Sequence, residues 1–595
     1  MSLDNPVSPD RRPSPAHERD AAPVARAGIL GAVRELFRLR GDKGRGRVGF
    51  AAICFTILFA VIGGRLIYLG VSIDESQNVR RSSASAVAVA RPDLVDRNGE
   101  ILATDVLSYS VFAEPRNIID ADEATELLTA VFPDLDARKL RDDLSTSRGF
   151  LWVKREISPR QQAEVHRLGI PGVGFLPENK RVYPNGVAAA HVVGFANIDN
   201  VGIAGMEKWI DEQGLQDLEG VGLLESALDL EPIQLSIDLR VQHALRDEMV
   251  KAMEKFSAIA GAGAILDVET GEVIALVSLP DFDPNHPVDA LQSDRINRIN
   301  VGVYEMGSTF KALTIAMGLD EGKFNINSTL DARSGLRFGR HTIGDYRGQN
   351  RVLTVPEVFV HSSNIGTARM AIGVGVEGHK EFLRKMGQLD RLQTELPENA
   401  RPIVPGRWGE INTATIAFGH GLAVAPLQAA MATAALMNGG YLIKPTFLRR
   451  TPEEARRNAT QVIKPETSEA MRYMMRLNAE RGSAARSSIA GFYVGGKTGS
   501  AEKNVNGRYV KGKLLTTYVA VAPSDNPRYL FLTILDEPKG LPETHGFATA
   551  GWNVAPTTGN IVERTAHLLD ITPRFNPPER PFPLMTRLGA WGTRP

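Results

Sequence analysis

The sequence predicts a mixed α/β (α+β) chain built from a single transmembrane helix, an elongated N-terminal α+β pedestal and a larger α/β domain. Three observations support this fold class. Residues 48–64 form a run without a charged side chain, residues 80–235 are dense in Gly, Pro and Asp turns, and strand patterns stand at both ends of a helical segment within residues 236–573. Strands that flank helices in this way indicate one domain around one sheet.

Composition limits the possible functions. The chain has 595 residues, which allows about two to four domains. Lys and Arg total 69, as do Asp and Glu, so the formal net charge is zero and nothing favours nucleic acid as a partner. The hydrophobic share of 43% is that of a globular protein. A single cysteine excludes a disulfide framework and a cysteine-based metal cluster.

The N-terminal region predicts a membrane anchor. Beyond Arg65 the apolar run resumes as far as residue 73, and residues 48–73 would form a helix of about 39 Å, enough to cross a hydrocarbon core of about 30 Å. Basic side chains crowd the N-terminal flank, so residues 1–47 are predicted to be a cytoplasmic tail, and the rest of the chain to lie outside the cytoplasm. The alternatives are a buried soluble helix and a cleaved signal peptide, whose apolar core is shorter.

The extracytoplasmic part divides into two predicted domains and a tail. In the pedestal, residues 80–235, short strands are predicted at 109–113 and 150–153 and a polar helix at 123–131. The second domain is predicted at residues 236–573, followed by a tail at 574–595 without helix or strand period. Within the second domain, residues 261–280 are predicted to form a strand, a Glu-Thr-Gly turn and a second strand, and further strands are predicted at 516–523 and 529–538. The helical tracts of this domain are predicted at 241–253, 311–319, 355–371, 413–417, 426–438 and 466–478.

A serine and a lysine stand together at the start of an apolar helical tract. Ser308-Thr309-Phe310-Lys311 precedes this tract directly, so Ser308 is predicted to open the helix. Spacing of i to i+3 places Ser308 and Lys311 on one face. A lysine whose pKa is lowered by burial and by a helix N-terminus can take the serine proton. The motif therefore predicts an acyl-transfer serine with a lysine base, although a serine there also serves as a plain N-cap.

Two further motifs follow in the chain. Ser362-Ser363-Asn364 is predicted to form a loop between helices, where a cap or an Asx turn is the alternative interpretation. The run 497–500, Lys-Thr-Gly-Ser, is predicted on an edge strand that presents Lys497 and Thr498 outward, while Gly499 leaves room for a substrate backbone. The three motifs in this order are far more specific than any one of them.

Residues 491–498 also match the P-loop string G-x-x-x-x-G-K-[ST]. A P-loop needs a helix that begins at its Lys-Thr pair. Here strand formers precede the pair, and the residues after it contain three glycines without a helical period. A nucleotide triphosphatase is therefore disfavoured. H-E-x-x-H is absent from the sequence, so we expect neither a metal site nor a cofactor.

The ordered triple is similar to that of class A β-lactamases and penicillin-binding proteins, and the chain resembles the penicillin-binding proteins over nearly all of residues 91–565. Three blocks, 91–99, 181–184 and 202–207, resemble those of the class B pedestal, and no glycosyltransferase-length region precedes them. This favours class B over the bifunctional class A. The segments that resemble the division-specific, penicillin-binding protein 3 type are 301–311, 361–366, 418–421 and 549–552.

The resemblance implies a penicillin-binding, serine-transpeptidase fold with a dimerisation-type pedestal, and it implies three catalytic roles. Ser308 attacks the penultimate D-alanine carbonyl of a peptidoglycan stem peptide. Lys311 acts as the base, and Ser362 relays a proton toward the leaving D-alanine. An amine from a neighbouring strand then resolves the acyl-enzyme and cross-links the wall, whereas β-lactams trap Ser308.

The resemblance also implies a substrate-binding set. Asn364 orients the substrate amide, and Lys497 and Thr498 bind the terminal carboxylate beside Gly499. The backbone N–H groups of Ser308 and Ser500 form an oxyanion hole. The family often has Pro where Met306 stands and Thr where Ser500 stands. Neither difference removes a functional group, so the resemblance still implies acyl transfer, but it does not fix the detailed substrate preference.

The function implied is a septal D,D-transpeptidase of cell division, held in the bacterial inner membrane with its catalytic domain in the periplasm. Its implied partners are a lipid-II-polymerising glycosyltransferase of the shape, elongation, division and sporulation family and other divisome proteins. The alternatives are an elongation-type class B transpeptidase, a non-catalytic β-lactam sensor, a β-lactamase or D,D-carboxypeptidase with water as acceptor, and a pseudo-enzyme that recruits division proteins.

Overall fold

The computed structural model describes residues 53, 55–65, 91–214, 230–505 and 507–576. The chain divides into two compact units, Met1–Ala86 and Val87–Pro595. In the first unit the described residues are helical, and their large apolar side chains are exposed. Among the described residues no helix is both long and apolar enough to cross a membrane. The predicted cytoplasmic tail and most of the predicted span 48–73 and tail 574–595 lie outside the described residues.

The first part of the second unit is a five-stranded sheet with helices. Its strands are β1 (Leu94–Val95), β2 (Ile101–Ala113), β3 (Leu151–Ile157), β4 (Val173–Val182) and β7 (Ile233–Gln234), with a separate β5 (Phe195–Ala196) and β6 (Gly202–Ala204) pair, and its helices are α1 (Ala121–Val131), α2 (Ala137–Leu144), α3 (Pro159–Leu168), α4 (Ala190–Val193) and α5 (Gly205–Glu212). Strand β2 pairs antiparallel with β1, β3 and β4. The strand and helix patterns predicted in this region are confirmed by β2, β3 and α1.

Local capping explains where these helices begin. The Asp120 carboxylate accepts the backbone N–H groups of Asp122 and Glu123 at the start of α1. Ser158 and Gln161 form a reciprocal capping box at the start of α3, directly before Pro159. Each cap satisfies N–H groups that have no partner within the helix.

Three charged side chains from distant blocks of the sequence meet in a buried network. Glu207 accepts from Arg91 Nε and from Arg181 Nε, both at 2.7 Å, and all three are nearly inaccessible to water. Arg91 also pairs with Asp211, and Arg181 with Asp105. A buried carboxylate between two guanidinium groups is stable because each charge is compensated. The blocks 91–99, 181–184 and 202–207 are therefore joined through their charged residues.

The rest of the unit is built around a second five-stranded sheet. The five strands of this sheet are β8 (Ala260–Asp267), β9 (Val273–Leu279), β16 (Gly495–Val505), β17 (Arg508–Ala522) and β18 (Tyr529–Asp536). The remaining strands form three separate pairs: β10 (Thr329–Asp331) with β13 (Val352–Thr354), β11 (Leu336–Phe338) with β12 (His341–Ile343), and β14 (Tyr441–Leu442) with β15 (Thr460–Gln461). The sheet order is β16-β17-β18-β8-β9, antiparallel throughout. Strands from both ends of the domain thus share one sheet, which confirms that prediction.

Ten described helices accompany this sheet, and those at 239–256, 426–437, 465–481 and 554–565 pack against its strands. The ten helices are α6 (Leu239–Phe256), α7 (Lys311–Asp320), α8 (Val355–Val360), α9 (Asn364–Val374), α10 (Val376–Lys385), α11 (Glu410–Ile416), α12 (Pro426–Met437), α13 (Pro452–Arg457), α14 (Pro465–Arg481) and α15 (Val554–Thr565). The helical tract predicted at 355–371 consists of two helices, and the predicted loop at Ser362-Ser363-Asn364 lies where they meet. Ser363 caps α9 by accepting the Gly366 N–H, and Ser362 has a φ of +57°, which no helix contains.

Four apolar clusters form the core of the described residues, and three of them lie against the two sheets. Ala264 and Leu532 belong to the cluster on one face of the second sheet, and Ile265 and Phe531 belong to the cluster on the other. This follows from the alternation of side chains along each strand. The third cluster lies in the first sheet region and includes Leu128.

Candidate active site

Ser308 lies in a 3₁₀ turn, Gly307–Phe310, that leads into α7. The α-helix itself begins at Lys311, so Ser308, which was predicted to open the helix, stands one turn before its observed start. Residues three apart eclipse each other in a 3₁₀ turn, which places Ser308 and Lys311 on one side. The Ser308 side chain is half-buried, and its hydroxyl has no hydrogen bond to any described residue. The hydroxyl is therefore accessible for chemistry.

Close backbone packing fixes this turn. The Met306 carbonyl accepts from Thr309 Oγ1 at 2.8 Å and from Thr517 Oγ1, on β17, at 3.3 Å. A Cβ placed on Gly419 would lie 2.0 Å from the Gly307 carbonyl oxygen. The turn is thus held between the sheet and the loop after α11, and neither side leaves room for it to shift.

Two buried lysines converge on one serine hydroxyl. Ser362 Oγ accepts from Lys311 Nζ at 2.9 Å and from Lys497 Nζ at 3.0 Å. Lys311 Nζ also donates to the Ser362 carbonyl, and Lys497 Nζ donates to the Thr498 carbonyl at 3.2 Å. The structure therefore brings the key residues of all three motifs into one place, with Ser308 one turn away from Lys311.

Burial makes the charged form of both lysines costly. It lowers the pKa of Lys497 to about 7. Burial also lowers the pKa of Lys311 well below its ordinary value, the cationic Lys497 lowers it further, and Asp345 opposes the shift. Two ammonium groups on one hydroxyl would repel each other, so the arrangement favours a neutral Lys311 beside a Lys497 that still takes a proton near neutral pH. A neutral amine next to Ser308 can act as a base.

The predicted loop between α8 and α9 is confirmed, and a distant aspartate orders it. Ser363 Oγ donates to Asp345 Oδ2 at 2.7 Å, and the Ile365 backbone N–H donates to Asp345 Oδ1 at 3.0 Å. Asn364 Nδ2 donates to the Gly344 carbonyl at 3.0 Å, which directs its side chain along the same loop. Sequence reasoning did not identify Asp345, because it belongs to no motif and reaches the site only through the fold.

Strand β16 forms the edge of the sheet, as predicted. The prediction that it presents Lys497 and Thr498 outward is wrong, because both side chains are buried. Lys497 Nζ lies 5.7 Å from the Phe359 ring centroid, and Thr498 Oγ1 lies 2.5 Å from Ser483 Oγ. Both side chains are thus enclosed, on opposite faces of the strand, and Lys497 is the one that reaches Ser362.

The role predicted for Gly499 also needs correction. A Cβ there would lie 2.5 Å from the Met306 carbonyl oxygen and from Thr517 Oγ1. The glycine thus leaves room for the turn that carries Ser308 and not for a substrate backbone. Next to it, Ser500 Oγ accepts the Ala550 backbone N–H at 3.0 Å, so this hydroxyl ties the loop after β18 to the edge strand.

A second polar cluster is centred on Glu305, two residues before the turn that carries Ser308. Tyr509 Oη, on β17, donates to Glu305 Oε1 at 2.9 Å, and the Gly421 backbone N–H donates to the same oxygen at 2.9 Å. The His420 ring lies 5.7 Å from the Tyr509 ring, and its buried Nδ1 has no partner among the described residues. These contacts join three distant segments, so the sequence carried no local signal for them.

The geometry excludes the P-loop interpretation. Lys497 and Thr498 lie inside strand β16, and no helix begins at this pair. A triphosphate needs the N–H groups of a helix N-terminus there. In the described part of the chain, no group of three or more His, Cys, Asp or Glu side chains is placed to hold a metal ion.

Comparisons with known proteins agree with this geometry. Residues 261–558 match the model of the penicillin-binding protein transpeptidase domain, and residues 86–221 match that of the penicillin-binding protein dimerisation domain. The chain is similar to the probable peptidoglycan D,D-transpeptidase FtsI of Caulobacter vibrioides, with 39% identity over 82% of this chain and 83% of the relative. It is 32% identical to the probable peptidoglycan D,D-transpeptidase PenA of Neisseria gonorrhoeae, over 89% and 94% of the two chains. Stage V sporulation protein D of Bacillus subtilis is 28% identical, over 90% and 88%.

Proposed function

Since the chain belongs to the class B penicillin-binding proteins, with a transpeptidase and a dimerisation domain, we propose that it is the peptidoglycan D,D-transpeptidase of septal wall synthesis in cell division. Peptidoglycan D,D-transpeptidation through an acyl-serine is the chemistry of its class. One observation carries the assignment of residues: Lys311 and Lys497 share the Ser362 hydroxyl beside the turn that holds Ser308.

In the proposed acylation step, Ser308 Oγ attacks the carbonyl of the penultimate D-alanine. Neutral Lys311 takes the proton of the Ser308 hydroxyl as the oxygen–carbon bond forms. Because Lys311 Nζ is hydrogen-bonded to Ser362 Oγ at 2.9 Å, the Ser362 hydroxyl can pass a proton to the nitrogen of the leaving D-alanine. The peptide C–N bond then breaks, and the stem peptide remains as an ester on Ser308.

Binding of the donor stem peptide falls to Asn364 and to the edge strand. Lys497 with Thr498 attracts the terminal carboxylate, which in turn favours the ammonium form of Lys497. Asn364 orients the substrate amide, and the N–H groups of Ser308 and Ser500 stabilise the oxyanion. Preorganised donors of this kind are worth about 10²–10³ in rate each.

In the second half of the reaction, the acceptor of the acyl group is an amine and not water. The amine of a neighbouring stem peptide attacks the Ser308 ester, the C–O bond breaks, and the proton returns to Ser308 through Lys311. The product is a cross-link between two strands. A β-lactam resembles the donor, acylates Ser308 and leaves no route for an amine to resolve the adduct.

The finer assignments to the septum and the membrane belong to this proposal as well. We expect a single-pass inner-membrane protein with its N-terminus in the cytoplasm, its catalytic domain in the periplasm and a lipid-II-polymerising glycosyltransferase among its partners. The apolar run at residues 48–64 supports the anchor, and the similarity to FtsI of Caulobacter vibrioides supports the septal role.

The chemical test uses the detergent-solubilised full chain and a fluorescent penicillin. We expect one covalent label, located at Ser308 by peptide mass, that is absent in Ser308→Ala. The matched control is Ser334→Ala, since Ser334 is an exposed serine of the same domain. A folded wild-type chain that takes no label, or a label that survives in Ser308→Ala, would contradict the proposal.

The cellular test separates division from elongation. Depletion of the protein from its own bacterium is expected to give filaments without septa, together with loss of new cross-links at midcell. Rounded cells that still divide would assign the chain to elongation, and unchanged cross-linking would favour a sensor.

A further inference from the structure

Two arginines and two aromatic rings form a continuous row next to the active site. Arg486 Cζ lies 3.3 Å from the Trp552 ring centroid, and Arg347 Cζ lies 5.0 Å from that of Phe547. The Trp552 and Phe547 rings are stacked, with centroids 5.7 Å apart and planes inclined by 17°. We call Arg347, Phe547, Trp552 and Arg486 the arginine–aromatic row.

Neither guanidinium of the row is neutralised. Among the described residues, Arg347 and Arg486 have no ion pair and no hydrogen bond, and both are exposed. Two exposed arginines of the same domain show the contrast, since Arg333 pairs with Asp331 and Arg351 with Glu357, each at 2.8 Å. A guanidinium stacked on a ring keeps its N–H edge available, and that edge matches a carboxylate in two-point geometry.

The first arginine is held by the loop that orders Asn364. Arg347 follows Asp345, which accepts from Ser363 Oγ at 2.7 Å, and Gly344, whose carbonyl accepts from Asn364 Nδ2 at 3.0 Å. This segment is therefore fixed directly against the second motif of the active site.

The other members of the row are fixed against the edge strand β16. Trp552 lies two residues after Ala550, whose N–H donates to Ser500 Oγ at 3.0 Å. Arg486 lies shortly after Ser483, whose hydroxyl is 2.5 Å from Thr498 Oγ1. Three separate segments thus place the row beside the substrate-binding residues.

We propose that the arginine–aromatic row binds a carboxylate of the acceptor stem peptide. The inference rests on the proposed function. The donor carboxylate is assigned to Lys497, which leaves the cations of the row without a ligand. An acceptor is another strand of the same polymer, so its stem peptide carries a carboxylate of its own. Binding that group at Arg347 and Arg486 would hold the acceptor amine near the Ser308 ester.

The test compares two acceptors on the full chain, with a synthetic donor that ends in D-Ala-D-Ala. One acceptor peptide has a free C-terminal carboxylate and the other a C-terminal amide, and the measured quantity is the half-saturating acceptor concentration. Because charge-assisted pairs are strong, we expect wild type to favour the acid form by about tenfold. We expect Arg347→Gln/Arg486→Gln to lose this preference and to keep the wild-type rate of penicillin labelling at Ser308.

Two controls make the test specific. Arg340→Gln removes an exposed arginine of the β11–β12 turn that contacts no ring among the described residues, and it is expected to keep the preference. Arg347→Lys/Arg486→Lys retains charge without the planar fork and is expected to restore the preference in part.

The inference is overturned if wild type and Arg347→Gln/Arg486→Gln show the same ratio between the two acceptors. Failure of the proposed function looks different, because the wild-type chain would then take no penicillin label and form no product with either acceptor.

Discussion

At the residue scale, Ser362 combines a strained backbone with the central hydroxyl of the site. Its φ is +57°, and its Oγ accepts from two lysines. A side chain in the left-handed region costs about 1–2 kcal/mol. Strain that persists at a site where distant elements meet points to a functional requirement.

Two substitutions separate the strain at Ser362 from the hydroxyl. Ser362→Ala and Ser362→Gly both remove the acceptor of Lys311 and Lys497, so each is expected to slow penicillin acylation by about 10²-fold or more. Only glycine relieves the left-handed strain, so the free energy of unfolding of the Gly variant is expected to exceed that of the Ala variant by about 1 kcal/mol. The Gly variant is therefore expected to unfold at a higher temperature. Thermal unfolding and acylation kinetics check this. Equal stabilities for the two variants would show that the backbone at Ser362 carries no strain.

The buried lysines predict a pH dependence of stability. The pKa of Lys497 is lowered to about 7 in the folded chain, against about 10.4 in an unfolded one. Between these values the unfolded state binds more protons, so the free energy of unfolding rises with pH across that window. Lys497→Met removes this contribution and is expected to stabilise the fold at pH 7 by up to about 4 kcal/mol while acylation is lost.

Denaturant unfolding at pH 7 and pH 9.5 measures the effect. The gain of Lys497→Met over wild type is expected to shrink at the higher pH, where Lys497 is neutral in the folded state. The control is Lys323→Met, at an exposed lysine, which is expected to show a small, pH-independent change. A Lys497→Met variant less stable than wild type at pH 7 would contradict the assigned cost of burial.

At the element scale, a glycine in the loop after α11 fixes the turn that carries Ser308. Gly419 has a φ of +86°, and a Cβ there would lie 2.0 Å from the Gly307 carbonyl oxygen. Gly421 has a similar φ of +88°, but its Cβ would come no closer than 3.5 Å to Thr415 Oγ1. The two positions share the left-handed backbone, and they differ in how closely an added Cβ would approach the Ser308 turn.

Gly419→Ala is therefore expected to displace the Ser308 turn and to reduce penicillin acylation by at least about tenfold, since small misplacements of a nucleophile are costly. Gly421→Ala carries the same left-handed strain and is expected to acylate at nearly the wild-type rate. Second-order labelling rates compare them. Equal losses in both variants would assign the effect to backbone strain alone.

The elements and the site were predicted from the sequence in part, and the features that were not predicted depend on contacts between distant segments. Alternating apolar residues predicted β17 and β18, and the order of the three motifs predicted that Lys311, Ser362 and Lys497 belong together. The left-handed backbone of Ser362 was not predicted, because the lysines that hold its hydroxyl come from distant elements. Asp345 escaped for a similar reason, and Gly499 was misassigned because its neighbour, the Met306 carbonyl, comes from another element.

At the scale of the whole second unit, the apolar clusters do not follow the two predicted domains. Leu94, Tyr183 and Met206 lie in the predicted pedestal, yet they belong to the same cluster as Phe310 and Leu313, which flank Lys311. The cluster around Leu128 has no member in the transpeptidase region. The pedestal therefore has one part that shares a core with the catalytic domain and another part with a core of its own.

This division predicts which thermal transition a core substitution affects. Leu128 and Met206 are both fully buried, and truncation of either to Ala is expected to cost about 2–5 kcal/mol. Leu128→Ala is expected to lower an early calorimetric transition of the distal pedestal and to leave acylation of Ser308 unchanged. Met206→Ala is expected to lower the transition of the catalytic domain, identified as the one that shifts when Ser308 is acylated by penicillin. If both variants lower the penicillin-sensitive transition equally, the two clusters unfold as one cooperative unit, and the boundary between pedestal and catalytic domain has no energetic meaning.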